Sequence, residues 1–129
     1  MPEVTARRKR PKFLALHQIR LPLPGIVSIL HRISGTGLFL MLPFLLWLFD
    51  RSLGTPEDFA AFSAVVGHPL TKLLLFGLLW AYLHHFCAGI RFLLLDMHVG
   101  VDLGPARKSS VAVLVISLLL TLVIGVVLW

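Results

Sequence analysis

Tyr82-Leu83-His84-His85-Phe86-Cys87-Ala88-Gly89-Ile90-Arg91-Phe92-Leu93-Leu94-Leu95-Asp96 puts two histidines inside a run otherwise apolar enough to cross a membrane. An ionisable residue at membrane depth is costly, so where one occurs it marks a functional site by default. Histidine is also a usual protein ligand of haem iron. On a helix, His85 and Gly89 share one face, a turn apart. A glycine beside a ligand lets a flat macrocycle approach the backbone. His84 and His85 are adjacent and face different directions, so they are not a chelating pair at helical spacing. The four ligands of a zinc site are not visible. His84 reads as a packed histidine at a helix–helix contact, and as the alternative ligand.

The whole chain has the same character as this stretch. Of 129 residues, 57% are hydrophobic and only 14% charged, which argues for an integral membrane protein. A single cysteine, Cys87, excludes an internal disulfide, a self-contained iron–sulfur cluster and covalent c-type haem attachment. The net charge of +6 could suggest nucleic acid. The basic residues gather at the N-terminus and at span edges, however, which fits membrane topology and no nucleic-acid partner.

Upstream, residues 1–24 read as a cytoplasmic N-terminal segment. Arg7, Arg8, Lys9, Arg10 and Lys12 act as a topology determinant, and no signal-peptide pattern follows. Residues 13–20 read as an interfacial segment or short helix. Pro22 and Pro24 stop it, and Pro24 suits the first turn of the next helix. A first span is expected at about 25–49. Ser28, His31, Arg32 and Ser34 stand at its entry, with Ser28 and Arg32 one turn apart on one face. Arg32 could merely snorkel to the surface. Gly35 and Gly37 offer close helix packing.

The connection from Asp50 to Pro69 is weakly charged and not basic, which marks it as the non-cytoplasmic side. It is expected to carry a short surface helix near 58–66 and a solvated His68. A second span is expected at about 70–96. A loop from Asp96 to Ser110 follows, with Arg107 and Lys108 on the cytoplasmic side. The third span, about 109–129, has no internal ionisable group and reads as a packing element. The prediction is therefore an all-α integral membrane protein of three transmembrane helices, N-terminus cytoplasmic and C-terminus on the far side. By the rise of a helix, His85 is expected near mid-membrane and the His31/Arg32 pair shallower, roughly 10 Å inside.

Two motifs together resemble a known family. Ser28-Ile29-Leu30-His31-Arg32-Ile33-Ser34-Gly35 is similar to the first-helix signature of the cytochrome b556 subunits of succinate dehydrogenase. His85-x-x-x-Gly89-Ile90-Arg91-x-x-x-x-Asp96 resembles the second signature of that family. The lead-in, Arg10-Pro11 with Leu14, Leu16, Ile19, Arg20 and Pro22, is similar as well. The resemblance covers most of the chain, in order.

The resemblance implies one of two small membrane anchors of respiratory complex II, in a bacterial inner (plasma) membrane with the C-terminus periplasmic. Its partners would be a flavoprotein subunit, an iron–sulfur subunit and a second anchor that completes the helical bundle. Electrons from succinate would pass to ubiquinone at the membrane. His85 would be the axial ligand of a b-type haem, with a second histidine from the partner anchor. His31 and Arg32 would contact haem propionates. Ser28 and Arg32 would line the quinone pocket, where donors in a dry site offset the charge of reduced quinone. Phe92 departs from the family, which often has histidine after the motif arginine. Three helices with one well-placed histidine suit the two-anchor, one-haem type. A fumarate-reducing anchor and a haemless structural membrane protein are the rival expectations.

Overall fold

The computed structural model describes residues 19–129. It contains four helices: α1 (Leu23–Leu53), α2 (Pro56–Gly67), α3 (Pro69–Asp96) and α4 (Leu103–Leu128). The chain is all-α, as its apolar spans require. Helices α1, α3 and α4 are each long and apolar enough to cross a membrane, so the chain is a multi-pass membrane protein. The basic run Arg7–Lys12 and residues 13–18 of the expected interfacial segment lie outside the described residues. Ile19 and Arg20 are exposed and precede α1 without helical structure.

Local chemistry sets the helix ends. Helix α1 starts at Leu23 behind Pro22, with Pro24 in its first turn, where the missing N–H costs nothing. It runs through the expected loop residues Asp50–Leu53, because Arg51 in its last turn suits the negative helix end. Inside it, Pro43 leaves the Phe39 carbonyl without its usual donor. Thr55 caps α2 with a capping box: its side chain accepts from the Asp58 N–H, and Asp58 accepts from the Thr55 N–H at 3.1 Å. Arg51 pairs with Asp58 and so ties the end of α1 to the start of α2. His68, expected to be merely solvated, caps α3 by accepting the Leu70 N–H at its Nδ1, 3.2 Å away.

The loop before α4 is shorter than the sequence suggested. Leu103 already begins α4, and Gly104 and Pro105 fall in its first turn. The first N–H groups of a helix have no intrahelical partner, so proline there loses nothing. The end of α3 closes with a Val99 N–H to Leu94 carbonyl bond and a His98 N–H to Leu95 carbonyl bond, both 2.9 Å. His98 takes the left-handed position of this motif, at φ 62°, where glycine is the usual occupant.

Helix α3 lies between the other two long helices, which also touch each other. Val27, Ala88 and Val113, one from each long helix, form the buried apolar centre. Lipid removes the hydrophobic drive between helices, so close contact of small residues must hold them. Helix α4 does this with one buried stripe: Ser110, Val113, Ser117, Thr121 and Gly125. Its hydroxyls donate to their own helix, Ser117 to Leu114 at 3.1 Å and Thr121 to Ser117 at 2.7 Å. A β-carbon at Gly125 would run into the Phe76 ring. The outer faces of the long helices are lined by exposed Leu, Ile, Val and Phe.

The Thr55 backbone N–H, then the Arg51 and Thr55 side chains, hold the Asp58 carboxyl below the usual carboxylate range. A carboxyl lowered by folding stabilises fully above its unfolded pKa of about 4 and loses that contribution as pH falls through the lowered folded value. Hydrogen exchange of the α2 amides is therefore expected to be flat from pH 7 to about 5 after correction for intrinsic rate, and to accelerate below about 4. Asp58→Asn should show the fast exchange already at pH 7.

Candidate functional site

His85 sits where α3 meets α1, and its ring lies on the α1 backbone. A β-carbon at Gly35 would stand 2.7 Å from His85 Cε1 and 3.1 Å from Nδ1. Only glycine leaves room for the imidazole there. Gly37, the other glycine expected at the helix contact, has nothing within 4 Å of its β position. The His31 and His85 rings stack with centroids 4.1 Å apart and planes 5° from parallel. The Phe92 ring is tilted against that of His31, with centroids 5.1 Å apart. Aromatic residue Phe92 thus supports the histidine pair where the resembled family often has another histidine.

Hydrogen bonding fixes the proton on His85. Its Nδ1 lies 2.9 Å from the His31 carbonyl. A carbonyl only accepts, so Nδ1 carries the hydrogen and Nε2 keeps its lone pair. The Ser34 hydroxyl donates to the same carbonyl at 3.0 Å and stands 3.3 Å from Nδ1. Orientation of one ring nitrogen by a backbone carbonyl is how a metal-binding histidine is prepared at the other. Nε2 has no hydrogen bond among the described residues. The same residues hold no cluster of three or more His, Cys, Asp or Glu able to bind a metal ion. The geometry thus leaves one imidazole nitrogen of His85 without a hydrogen-bond partner among the described residues.

His31 and His85 were expected at different depths, yet their rings meet face to face. Helix α1 begins at Leu23, upstream of the expected Gly25. Gly89 lies beside this pair, and a β-carbon there would meet only His31 Nε2, at 3.8 Å. That is ordinary contact, so packing within the chain does not require glycine at 89.

The remaining candidates on α1 lie further out. Ser28 is half-buried, one turn before Arg32, which is exposed and forms no ion pair among the described residues. Arg91 goes the other way. It is buried against α4, donating from Nε to the Ser109 hydroxyl at 2.9 Å and from a terminal nitrogen to the Ala106 carbonyl at 3.3 Å. Ser34 received no role from sequence. Its spacing of three from His31 is the signal that could have found it.

His84 is the packed histidine. It is fully buried, with the Trp80 ring 5.3 Å away. The Val27 carbonyl approaches its ring, but neither nitrogen meets hydrogen-bond geometry with a described residue, and Trp80 Nε1 is unpartnered too. A desolvated polar group without a partner costs about 1–3 kcal/mol. His84→Leu is therefore expected to raise stability by about that amount. Thermal unfolding in detergent measures it, and a lowered midpoint would mean that His84 has a partner.

Comparison with known proteins places these residues in context. Residues 6–124 match the model of the family described as succinate dehydrogenase/fumarate reductase transmembrane subunit. A relative from Paracoccus denitrificans, named succinate dehydrogenase cytochrome b556 subunit, is 35% identical over 92% of this chain and 93% of its own. One of the same name from Coxiella burnetii is 35% identical over 94% of this chain and 98% of its own. A third, from Rickettsia felis, is 30% identical over 92% of each.

Proposed function

The chain belongs to the succinate dehydrogenase/fumarate reductase transmembrane subunit family, and from that premise we propose that it is the haem b-bearing anchor of a succinate:quinone oxidoreductase. His85 would hold the haem iron. One observation carries this: the His31 carbonyl takes the Nδ1 hydrogen of His85 at 2.9 Å and leaves Nε2 for iron. Gly89 supports it, because its missing side chain leaves space that the chain itself does not need. The relatives' name, cytochrome b556, agrees with a b-type haem.

When bound, haem b supplies a one-electron carrier inside the membrane. The chain's own residues hold and orient. Gly35 admits the His85 ring, and the His31 and Ser34 contacts fix its tautomer. His31 and Arg32 are the proposed partners of the haem propionates. Arg32 is an exposed cation without an ion pair among the described residues, so it can pair with an arriving carboxylate. Ser28 donates to a quinone oxygen, and Arg32 stabilises the charge that reduction places there. Ubiquinone is the acceptor in this reading, and succinate is oxidised on partner subunits that carry flavin and iron–sulfur centres. A second anchor would supply a further histidine to the haem. The membrane is a bacterial inner membrane, with the N-terminus cytoplasmic and the C-terminus periplasmic.

A dithionite-reduced minus oxidised absorption spectrum of the assembled complex tests the ligand. The b-type α-band should be present in wild type and His84→Ala, and lost or shifted in His85→Ala. Loss in His84→Ala alone would move the ligand by one residue, and a wild type without the band would remove the haem. For the quinone site, Ser28→Ala should slow quinone reduction about tenfold, the worth of a hydrogen bond near 1.4 kcal/mol, while succinate oxidation by an artificial dye is unchanged. Equal loss of both activities would refute the assignment.

A further inference from the structure

We propose that the groove between α3 and α4 below Arg91 holds one anionic phospholipid, its phosphate at Arg91 and an acyl chain along the groove. Arg91 is a buried cation on a membrane-spanning helix, and such a charge is costly until hydrogen-bonded or paired. Its two partners, Ser109 and the Ala106 carbonyl, are both neutral. The one ion pair among the described residues joins Arg51 and Asp58, at the opposite end of the bundle. Asp96 and Asp102, the carboxylates nearest in sequence, are exposed and pair with nothing described.

The groove has a lipid's layout. Its volume is about 250 Å³. Arg91 and Ser109 are its polar lining residues, and Ile90, Leu94, Ala112 and Ile116 are among its apolar ones. From Ser109 to Ile116 it follows α4 for about 10 Å at the helical rise, a direction in which a lipid tail lies beside a spanning helix. Arg107 and Lys108 are exposed on the turn that carries the Ala106 and Ser109 contacts. They add positive charge at headgroup level, which attracts an anionic head and repels the quaternary ammonium of phosphatidylcholine. Basic pockets between spanning helices have this ligand preference in general. The site lies on the α4 side of α3, whereas the His85 ring faces α1, so it does not rest on the haem assignment.

The test uses the whole complex, extracted in mild detergent and incubated with equimolar phosphatidylglycerol and phosphatidylcholine. Native mass spectrometry then counts the lipids retained. Wild type should keep one phosphatidylglycerol more than Arg91→Gln. Because the arginine variant could also loosen the α3–α4 contact, Ala112→Trp fills the groove while leaving Arg91 in place, and it should lose the same lipid. Equal phosphatidylglycerol occupancy in all three proteins overturns the proposal, as does retention of phosphatidylcholine in equal measure. A disulfide formed between Ile116→Cys and the second anchor would also overturn it, because a protein helix would then cover the groove.

Discussion

One hydrogen bond organises this molecule: His85 Nδ1 to the His31 carbonyl, 2.9 Å. It joins two spans that have little else to choose a register with. Most residues of both spans are aliphatic, and aliphatic contact in lipid is nearly as good one turn higher or lower. A polar contact between helices has no such freedom, because a slip by a turn would strand a donor in hydrocarbon. Gly35 makes the bond reachable, since a β-carbon would stand where the imidazole lies. The same bond decides which nitrogen of His85 carries the hydrogen. Helix register and ligand chemistry are thus one constraint, expressed at one pair of residues.

Two ways of burying polar groups stand side by side on α3. His85 is half-buried and hydrogen-bonded, while its neighbour His84 is fully buried with no hydrogen-bond partner among the described residues. Arg91 lies between these extremes, bonded but not neutralised. A chain selected for stability alone would fill such positions with leucine. All three lie on α3, which packs between α1 and α4. The two neighbours differ. Helix α1 offers a carbonyl, a hydroxyl and a missing side chain to the histidine, whereas α4 offers a stripe of small residues that lets the helices close.

Much of this was legible in the residues. The three spans follow from hydrocarbon thickness and run length. The adjacent histidines point different ways, as helical geometry requires, and the structure finds one ring hydrogen-bonded and the other packed without a partner among the described residues. Other features were hidden for physical reasons. Helix ends depend on capping, and Thr55, Asp58 and His68 act through hydrogen bonds that composition does not reveal. The early start of α4 escaped because Gly104-Pro105 reads as a break unless it falls in a first turn, where proline is harmless. The stacking of His31 on His85 required the relative height of two helices, and the swing of Arg91 towards α4 required knowing which helix neighbours which face. Neither is a local property of the chain.

The capped elbow at Thr55 and Asp58 bears on the order in which the protein is made. Helix α2 and its ion pair close the turn between the first two spans using residues within a few positions of one another. His31, Ser34, Gly35 and His85 all precede Asp96. The histidine pair can therefore assemble while α4 is still being synthesised, and the last span then packs against the other side of α3.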